Sequence, residues 1–214
     1  MYYLNSFKPL CLFKKGREAV KRFELPPFID ASCRREPAFE NSMPSISALC
    51  RGAGFAPRLQ ENDQIIYMTV KGKYDLQQFR HRRLVAIVKV KHRFNSHREA
   101  ATFYLKQNLP LPNNCLVRDN DPLPFEMTGG NFPKEFSDIS DERKLIKKWD
   151  LSYQKRARKY GTFLVCETEF LELHNPPILT DEDLLEIFGR IPPTLTPPPI
   201  TGIQFEALSE LAVL

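Results

Sequence analysis

The sequence predicts an α+β fold, because it contains two clear strand patterns and several helical ones. Apolar and β-branched residues dominate Gln64–Val70 and Arg83–Phe94, as they do in buried strands. Apolar residues recur at helical spacing in several other segments. The 214 residues are 42% hydrophobic and 27% charged. They fit one large globular domain with appendages, which can bury a core without metal or disulfide help.

The first 58 residues are divided into a lead-in and a block, Asp30–Arg58, which is expected to connect elements rather than to build the core. Residues 1–27 form a predicted lead-in with one short helix around Gly16–Phe23, ended by two prolines. The following block, Asp30–Arg58, mixes Pro, Ser and Gly with a short apolar run. That run, Ile46–Cys50, predicts a turn or a short helix within loops.

Two strands and a capped helix are predicted in the middle of the chain. A turn at residues 61–63 precedes the first strand, and the polar connection Lys71–Arg82 suits a long hairpin loop before the second. Ser96 is then placed to cap a helix, with Glu99 completing a capping box and Asn108 near the helix end.

The next segment is predicted to alternate loop, helix and strand. Leu109–Gly130 is rich in proline and loop-like, around a short predicted strand at Cys115–Val117. Apolar residues at helical spacing predict a helix over Asp141–Tyr160. Another apolar run predicts a strand at Thr162–Glu169.

The last quarter of the chain differs in composition and charge. One helix is predicted at Thr180–Phe188, and five prolines at 192–199 predict that the acidic tail, residues 190–214, lies extended or poorly ordered. Residues 1–164 hold 30 of the 31 Lys and Arg residues against 17 acids, whereas residues 165–214 hold one against nine. A basic body with an acidic tail is common in proteins that meet polyanions, although ordinary solvated charge produces the same pattern.

Several classes of protein are not indicated by this sequence. The longest apolar runs, such as Leu84–Val88, fall far short of the ~20 residues that span a bilayer, and the N-terminus lacks the marks of a signal peptide. Five widely spaced cysteines indicate reduced thiols. There is no metal-binding spacing of Cys or His, no P-loop and no dinucleotide fingerprint. We therefore predict a cytoplasmic protein without membrane contact, metal or cofactor.

Two short motifs resemble those of a known superfamily. Asn62–Asp63 leads into the first strand, and Leu84–Val90 precedes a helix. Both are similar to motifs of the PUA-like superfamily, which includes the ASCH, EVE and YTH domains, although Asn62 stands where those domains usually have glycine. The segment FAPRL, residues 55–59, and the Cys50–Arg51 pair add to this resemblance. Over about residues 28–105 the chain is most similar to the bacterial and phage families called nucleotide modification associated domains. The resemblance implies a small, bent barrel flanked by helices, placed at residues 28–189, and a link to modified bases or nucleotides.

A basic segment at residues 71–98 predicts contact with phosphates. It holds nine Lys and Arg residues and three histidines against one acid, Asp75, and aromatic residues are interleaved with them. Such a segment neutralises phosphates without reading a base sequence, while aromatic rings can stack on unpaired bases. The residues predicted to form this patch are Lys71, Lys73, Arg80, Arg82, Arg83, Lys91 and Arg93.

Arginines ahead of the first strand predict a site for an anion or a base edge. Arg34 and Arg35 offer planar guanidinium groups, and Glu36 could orient one of them; the same triplet could instead lock a loop by buried ion pairing. Trp149 and Tyr153 share a helical face that either stacks on a base or packs in the core. The residues predicted to bind the ligand are Arg34, Arg35, Glu36, Arg51, Tyr67, Thr69 and Trp149.

These observations predict a module that binds nucleic acid or a nucleotide and recognises a modified base, flipped out or unpaired. The alternative is an enzyme, a nuclease or a base-modifying protein, in which Glu36 or Asp30 works with a histidine. In a third hypothesis the acidic tail contacts a protein partner or inhibits the protein. A cleft with Glu36 beside a histidine would favour catalysis, and a cleft lined by aromatic residues and arginines would favour binding.

Overall fold

The chain folds into a mixed sheet with helices around it, in a computed structural model that describes residues 1–74, 77 and 79–213. Within these residues the seven strands are β1 (Tyr2–Phe7), β2 (Ser45–Ser47), β3 (Gln64–Thr69), β4 (Arg82–Phe94), β5 (Phe163–Leu171), β6 (Ile178–Leu179) and β7 (Pro199–Ile200). The five α-helices of the same residues are α1 (Lys14–Phe23), α2 (His97–Lys106), α3 (Glu142–Lys159), α4 (Asp181–Phe188) and α5 (Gly202–Val213). None of these described helices combines the length and the apolar character that a membrane crossing requires. The predicted α+β class is confirmed.

The sheet is mixed and open. Its strand order is β2–β5–β4–β3–β1–β7, and β6 adds to one end of β4. β1 runs parallel to β3, with Tyr2 opposite Gln64, and the other pairs in the described part of the chain are antiparallel. Register shifts near Val88 and Val90 interrupt the ladder between β4 and β5, as bulges do where a long strand bends. Among the described residues β2 and β7 do not pair, so the ladder does not close the sheet into a barrel.

The predicted lead-in and tail both contribute to the sheet. β1 belongs to the lead-in and is an inner strand, and β7 from the tail pairs with it. Helix α5, also from the tail, packs Phe205 and Leu208 in one cluster with Leu4 and Ile66. The tail is expected to lie extended over the body or to be poorly ordered, and this is wrong for residues 202–213, because they form a helix.

Apolar layers lie on both faces of the sheet. On one face, aromatic residues from the loops before β3, such as Phe39 and Phe55, pack in one cluster with Tyr67 and Val88. On the other face, α4 and α5 cover β1, β3 and β4. The block Asp30–Arg58 thus builds a core layer instead of merely connecting elements, because its large aromatic side chains reach the sheet from irregular backbone.

Two short segments and one helix cap differ from the prediction. Within the run Ile46–Cys50, Ile46 and Ser47 lie in β2 at the end of the sheet, whereas Leu49 and Cys50 form the predicted turn. Cys115–Val117 is irregular and not a strand. Both runs are too short for hydrophobic periodicity to decide their structure. Ser96 accepts the Glu99 amide as predicted, but the Glu99 carboxylate accepts the Asn95 amide instead of completing a capping box.

Candidate functional site

One cavity of about 690 Å³ opens between the loop layer, helix α3 and the C-terminal segment. Its lining residues come from β1 and β3, from residues 30–55, from residues 131–156 and from Thr194–Leu195. Small-molecule sites usually measure roughly 300–1,000 Å³. This is therefore a cavity of ligand-binding size, assembled from parts of the chain that lie far apart in sequence.

Two buried carboxyl groups line the cavity, and we refer to Asp30 and Glu36 as its acidic floor. The Oδ1 atom of Asp30 accepts hydrogen bonds from the Ser32 amide (2.9 Å), the Ser32 hydroxyl (2.5 Å) and the Glu36 amide (3.2 Å). Its Oδ2 atom has no hydrogen-bonding partner among the described residues, yet it is not fully enclosed. Asp30 is thus held in place by one oxygen and can offer the other to a ligand.

Glu36 is held more completely. Its Oε1 atom accepts the Ser47 amide (2.6 Å), and its Oε2 atom accepts the Ser47 hydroxyl (2.9 Å) and the Asn114 side-chain amide (2.7 Å). Burial, with a smaller contribution from the Asp30 carboxylate, raises the pKa of Glu36 to about 7, against the opposing effect of these three donors. Since a carboxylate has about four acceptor positions, one position of Glu36 stays available.

Six aromatic side chains line the cavity, and we refer to them as its aromatic walls. Trp149 and Tyr153 lie one turn apart on α3, with ring centroids 6.3 Å apart and planes inclined by 31°. Tyr67 on β3 packs edge-on against Phe55, with centroids 6.5 Å apart. Phe132 is half-buried and therefore the most accessible of these rings to a ligand. The aromatic walls are Phe7, Phe55, Tyr67, Phe132, Trp149 and Tyr153.

Four cationic side chains also line the cavity. We name them the cationic rim: Lys8, Arg51, Lys134 and Arg156. The Arg51 guanidinium donates to the carbonyls of Ser6 and Thr194, and Arg156 donates to the Leu49 carbonyl (2.5 Å). Carbonyl partners orient a guanidinium without neutralising its charge. The rim can therefore attract an anion attached to whatever occupies the cavity.

The cavity brings together four of the seven residues predicted to bind the ligand, and it excludes the arginine pair. Arg34 donates to Asp150 (Nε–Oδ1 2.5 Å), and both side chains are more than nine-tenths buried. Arg35 is also buried and pairs with Glu40 (2.5 Å). Glu36 orients neither guanidinium, since the groups that donate to its oxygens belong to Ser47 and Asn114. The pair serves the structural role considered for it, which is to lock loops by buried ion pairing.

The predicted nucleic-acid patch meets acids from the C-terminal part of the chain. Lys71 and Arg82 both pair with Asp181 at the start of α4. Lys91 pairs with Glu167 on β5 (3.0 Å). Each of these acids lies 76 or more residues from the cation that it pairs with, so the sequence does not reveal that the cations are neutralised. The patch is consequently less cationic than its composition indicates.

The other patch residues divide into buried and exposed groups. Arg83 is buried and donates to the Pro176 carbonyl (2.6 Å), while its own amide donates to the Thr69 hydroxyl (2.9 Å). Thr69, predicted to bind the ligand, is thus a buried partner of β4. Arg93 donates to the Leu59 carbonyl (3.2 Å). The two that stay exposed are Lys73 and Arg80, and Asp75 lies outside the described residues.

The catalytic alternative needs a histidine, and none lines the cavity. Cys50 does line it, with its thiol directed to the Glu36 carbonyl oxygen (Sγ–O 3.9 Å). Loss of hydration, and then the Asp30 and Glu36 carboxylates, raise the pKa of this thiol well above its usual range. A protonated thiol is a poor nucleophile. Among the described residues, no group of three His, Cys, Asp or Glu side chains could hold a metal ion.

Sequence reasoning missed several lining residues, and helical spacing could have added Arg156 to the pair Trp149 and Tyr153. Trp149, Tyr153 and Arg156 follow one another at i, i+4 and i+7 on α3, so their side chains share a face. Phe132 and Thr194 carry no such signal, because they lie in irregular segments whose position depends on tertiary contacts.

The acidic floor predicts an unusual pH dependence of stability. The folded-state pKa of Glu36, about 7, lies above its ordinary value of 4.5. The contribution of Glu36 to the free energy of unfolding is therefore fully present below pH 4.5 and is lost as the pH rises to 7 and above. The free energy of unfolding should fall by up to about 3 kcal/mol over this range. His97 has the opposite effect, because burial lowers its pKa from 6.5 to about 4. Its contribution to the free energy of unfolding is lost as the pH falls below 6.5.

Comparison with Glu36→Gln separates the two effects. We expect urea unfolding at pH 5 to 8 to show that the free-energy cost of Glu36→Gln shrinks as the pH rises, since only the wild-type protein loses the Glu36 contribution. A cost that stays constant over this range would contradict the raised pKa.

The acidic floor, aromatic walls and cationic rim are the features from which a function can be inferred, because no family model, curated protein or solved structure matches this chain.

Proposed function

We propose that the cavity recognises a modified nucleobase carried by a nucleic acid or a nucleotide. The observation that supports this most is the presence of acidic floor, aromatic walls and cationic rim in one cavity. A nucleobase has two flat faces, a hydrogen-bonding edge and, through its sugar, a phosphate. The walls suit the faces, the floor suits the edge and the rim suits the phosphate.

The floor favours bases that present N–H groups. Asp30 Oδ2 is an acceptor when Asp30 is ionised, and the remaining position on Glu36 is an acceptor at a pH above the Glu36 pKa of about 7. Amino and imino groups of bases donate to such oxygens, whereas carbonyl and ring-nitrogen acceptors would face them without a partner. A mismatch of this kind leaves buried polar groups unpaired, which discriminates strongly between ligands.

The size of the cavity supports a base with a substituent. A volume of about 690 Å³ corresponds to more than twenty water molecules at about 30 Å³ each, more than an unsubstituted base of about ten non-hydrogen atoms fills. The extra volume lies among aromatic and polar groups and can accept an added group.

The finer fold assignment, a PUA-like bent sheet, belongs to the same proposal. The motif strands are adjacent and antiparallel, β3 with β4, and β4 leads into α2. Asn62 has a φ of 69°, in the left-handed region that glycine adopts most easily. Asparagine is one of the few other residues that visit this region routinely. The departure from the family pattern at Asn62 therefore preserves the turn conformation that glycine would allow.

Binding is favoured over catalysis by the composition of the cavity. The criterion for catalysis was Glu36 beside a histidine, and the four histidines of the chain are absent from the lining. Aromatic residues and arginines surround the acids instead. We therefore propose a recognition module and not a hydrolase or base-modifying enzyme.

Trp149 is the only tryptophan of the chain and lines the cavity, so its fluorescence can report a stacked base. We expect some members of a panel of common and base-modified nucleoside 5′-monophosphates to change this fluorescence saturably. Asp30→Asn keeps the acceptor at Oδ1 and replaces the free oxygen by an N–H donor. Loss of a charged hydrogen bond of ~1.5–3 kcal/mol should weaken binding roughly ten- to hundredfold.

Two further variants make this test specific. Phe132→Ala should also weaken binding, roughly tenfold, because it removes a stacking surface from the walls. Asp138→Asn, at an exposed aspartate that does not line the cavity, is the matched control and should bind as the wild type does. Absence of any saturable ligand, or equal affinity in Asp30→Asn and wild type, would refute the proposal.

A further inference from the structure

Helix α3 carries a second chemically distinct surface beside the cavity. We propose that this surface is the path of a single-stranded nucleic acid, whose phosphates contact the helix while one base enters the cavity. The inference rests on the proposed function and extends it by assigning a polymer as the ligand and a route to its backbone. The cationic face of α3 consists of Arg143, Lys144, Lys147, Lys148, Lys155, Arg158 and Lys159, all exposed.

The two faces of α3 have different partners. Leu145 and Ile146 pack in a core cluster with Trp149 and Tyr153, and the latter two also line the cavity. The opposite face is cationic along the full length of the helix. Because one rigid element carries both surfaces, a base bound at Trp149 has phosphate-binding groups at a fixed distance from it.

The cationic face is not explained by helix stability. Like charges four residues apart, as at Arg143 and Lys147 or at Lys155 and Lys159, destabilise a helix. Arg143 and Lys144 lie in the first turn, where the helix dipole disfavours positive charge. Among the described residues, one of the seven cations has a carboxylate within 4.0 Å, namely Lys144 beside Asp141. A polyanion would relieve this accumulated repulsion.

The patch predicted from the sequence is more fully neutralised, with Lys73 and Arg80 as its exposed cations that have no carboxylate partner among the described residues. Two of its cations share Asp181, and both Lys89 and Lys91 contact Glu167. An acid already paired with a lysine must be displaced before a phosphate can take its place. The unpaired cations of α3 can bind phosphate without that cost, which makes α3 the better route.

The dimensions of the face suit several nucleotides. From Arg143 to Lys159 the helix advances about 24 Å at ~1.5 Å per residue. The C-terminal half of α3 also borders a second cavity of about 470 Å³, where Arg158 is joined by Arg98 and Arg118. The positive surface therefore continues beyond the helix, and a strand that leaves the base-binding cavity along α3 meets further cations.

Fluorescence anisotropy with labelled single-stranded 12-mers of DNA and RNA tests this route at several NaCl concentrations. The variant Lys147→Gln/Lys155→Gln/Arg158→Gln removes three cations of α3. The matched control Lys71→Gln/Lys89→Gln/Lys91→Gln removes three from the sheet and changes the net charge equally. We expect the α3 variant to bind roughly tenfold or more weakly and its slope of log K against log salt to fall by about two, since each phosphate contact contributes ~0.7.

The outcomes separate this inference from the base-binding proposal. If the sheet variant loses as much affinity as the α3 variant, or if neither loses affinity, the route along α3 is refuted. Mononucleotide binding, read from Trp149 fluorescence, should be unchanged in the α3 variant because the base-binding cavity is intact. If mononucleotides bind but the α3 variant loses no oligonucleotide affinity, the route along α3 is refuted and the base-binding proposal stands. If no mononucleotide binds, the base-binding proposal itself fails.

Discussion

Deleting residues 199–214 should unfold the protein. The deletion removes β7 and α5, and with them the buried side chains of Phe205 and Leu208 that cover Leu4 and Ile66. Truncation of a single buried leucine to alanine costs ~2–5 kcal/mol, and a whole domain is stable by only ~5–15 kcal/mol. We expect thermal melting followed by circular dichroism to show no cooperative transition in the truncated chain.

Point substitutions on α5 provide the control for this deletion. Leu208 is fully buried, so Leu208→Ala should lower the free energy of unfolding by ~2–5 kcal/mol. Ile203 is 80% exposed on the same helix, so Ile203→Ala should change it by less than about 0.5 kcal/mol. A cooperative melt of the truncated chain close to that of the wild type would show that α5 is dispensable. The hypothesis of an autoinhibitory tail would then gain support, because the tail could leave without loss of the fold.

Replacing Arg34 should produce the second large effect. Arg34→Met leaves the Asp150 carboxylate buried without its cation, since Gln154 is then its one remaining side-chain donor among the described residues (2.7 Å). Breaking a buried ion pair on one side costs ~3–5 kcal/mol. We expect urea unfolding to show that Arg34→Met lowers the free energy of unfolding by this amount. Because Asp150 belongs to α3, we also expect α3 to be displaced.

The double variant Arg34→Met/Asp150→Leu distinguishes the lost pair from lost packing. Removing both charges avoids the unpaired carboxylate, so the double variant should be more stable than Arg34→Met alone. Arg143→Met, at an exposed position of α3, is the control and should be close to the wild type. A double variant that is less stable than the single one would mean that packing and carbonyl contacts dominate at Arg34.

The central strands and four helices could be predicted because their signals are local. β3, β4 and β5 contain dense apolar runs, and Thr180 and Asp183 form the capping box that starts α4. β1 could not be found in this way, because its buried Asn5 and Ser6 interrupt the apolar pattern and its pairing partner β3 lies about 60 residues away. α5 was hidden by the prolines before it, although the last twelve residues contain none.

The candidate site could be predicted only in part, since charged residues take their role from distant partners. Glu36 and Trp149 lie in the cavity, as expected of ligand-binding residues. Arg34 is an arginine in the same block as Arg51, which lines the cavity. Arg34 has a structural role instead, because it pairs with Asp150, 116 positions away. Lys71 and Arg82 likewise depend on Asp181. Composition identifies cations, but only the fold shows which of them are already neutralised.

The position of β1 between β3 and β7 has a consequence for the order of folding. β1 must wait for Gln64–Thr69 to form its parallel ladder, and its other edge, at Tyr2 and Tyr3, stays open until Pro199–Ile200 arrive. Pairings across such long stretches of chain close slowly, because the entropy of the intervening loop is lost before the contacts form. While the ribosome synthesises residues 70–198, β1 therefore carries an unpaired edge at Tyr2 and Tyr3, and such an edge favours aggregation.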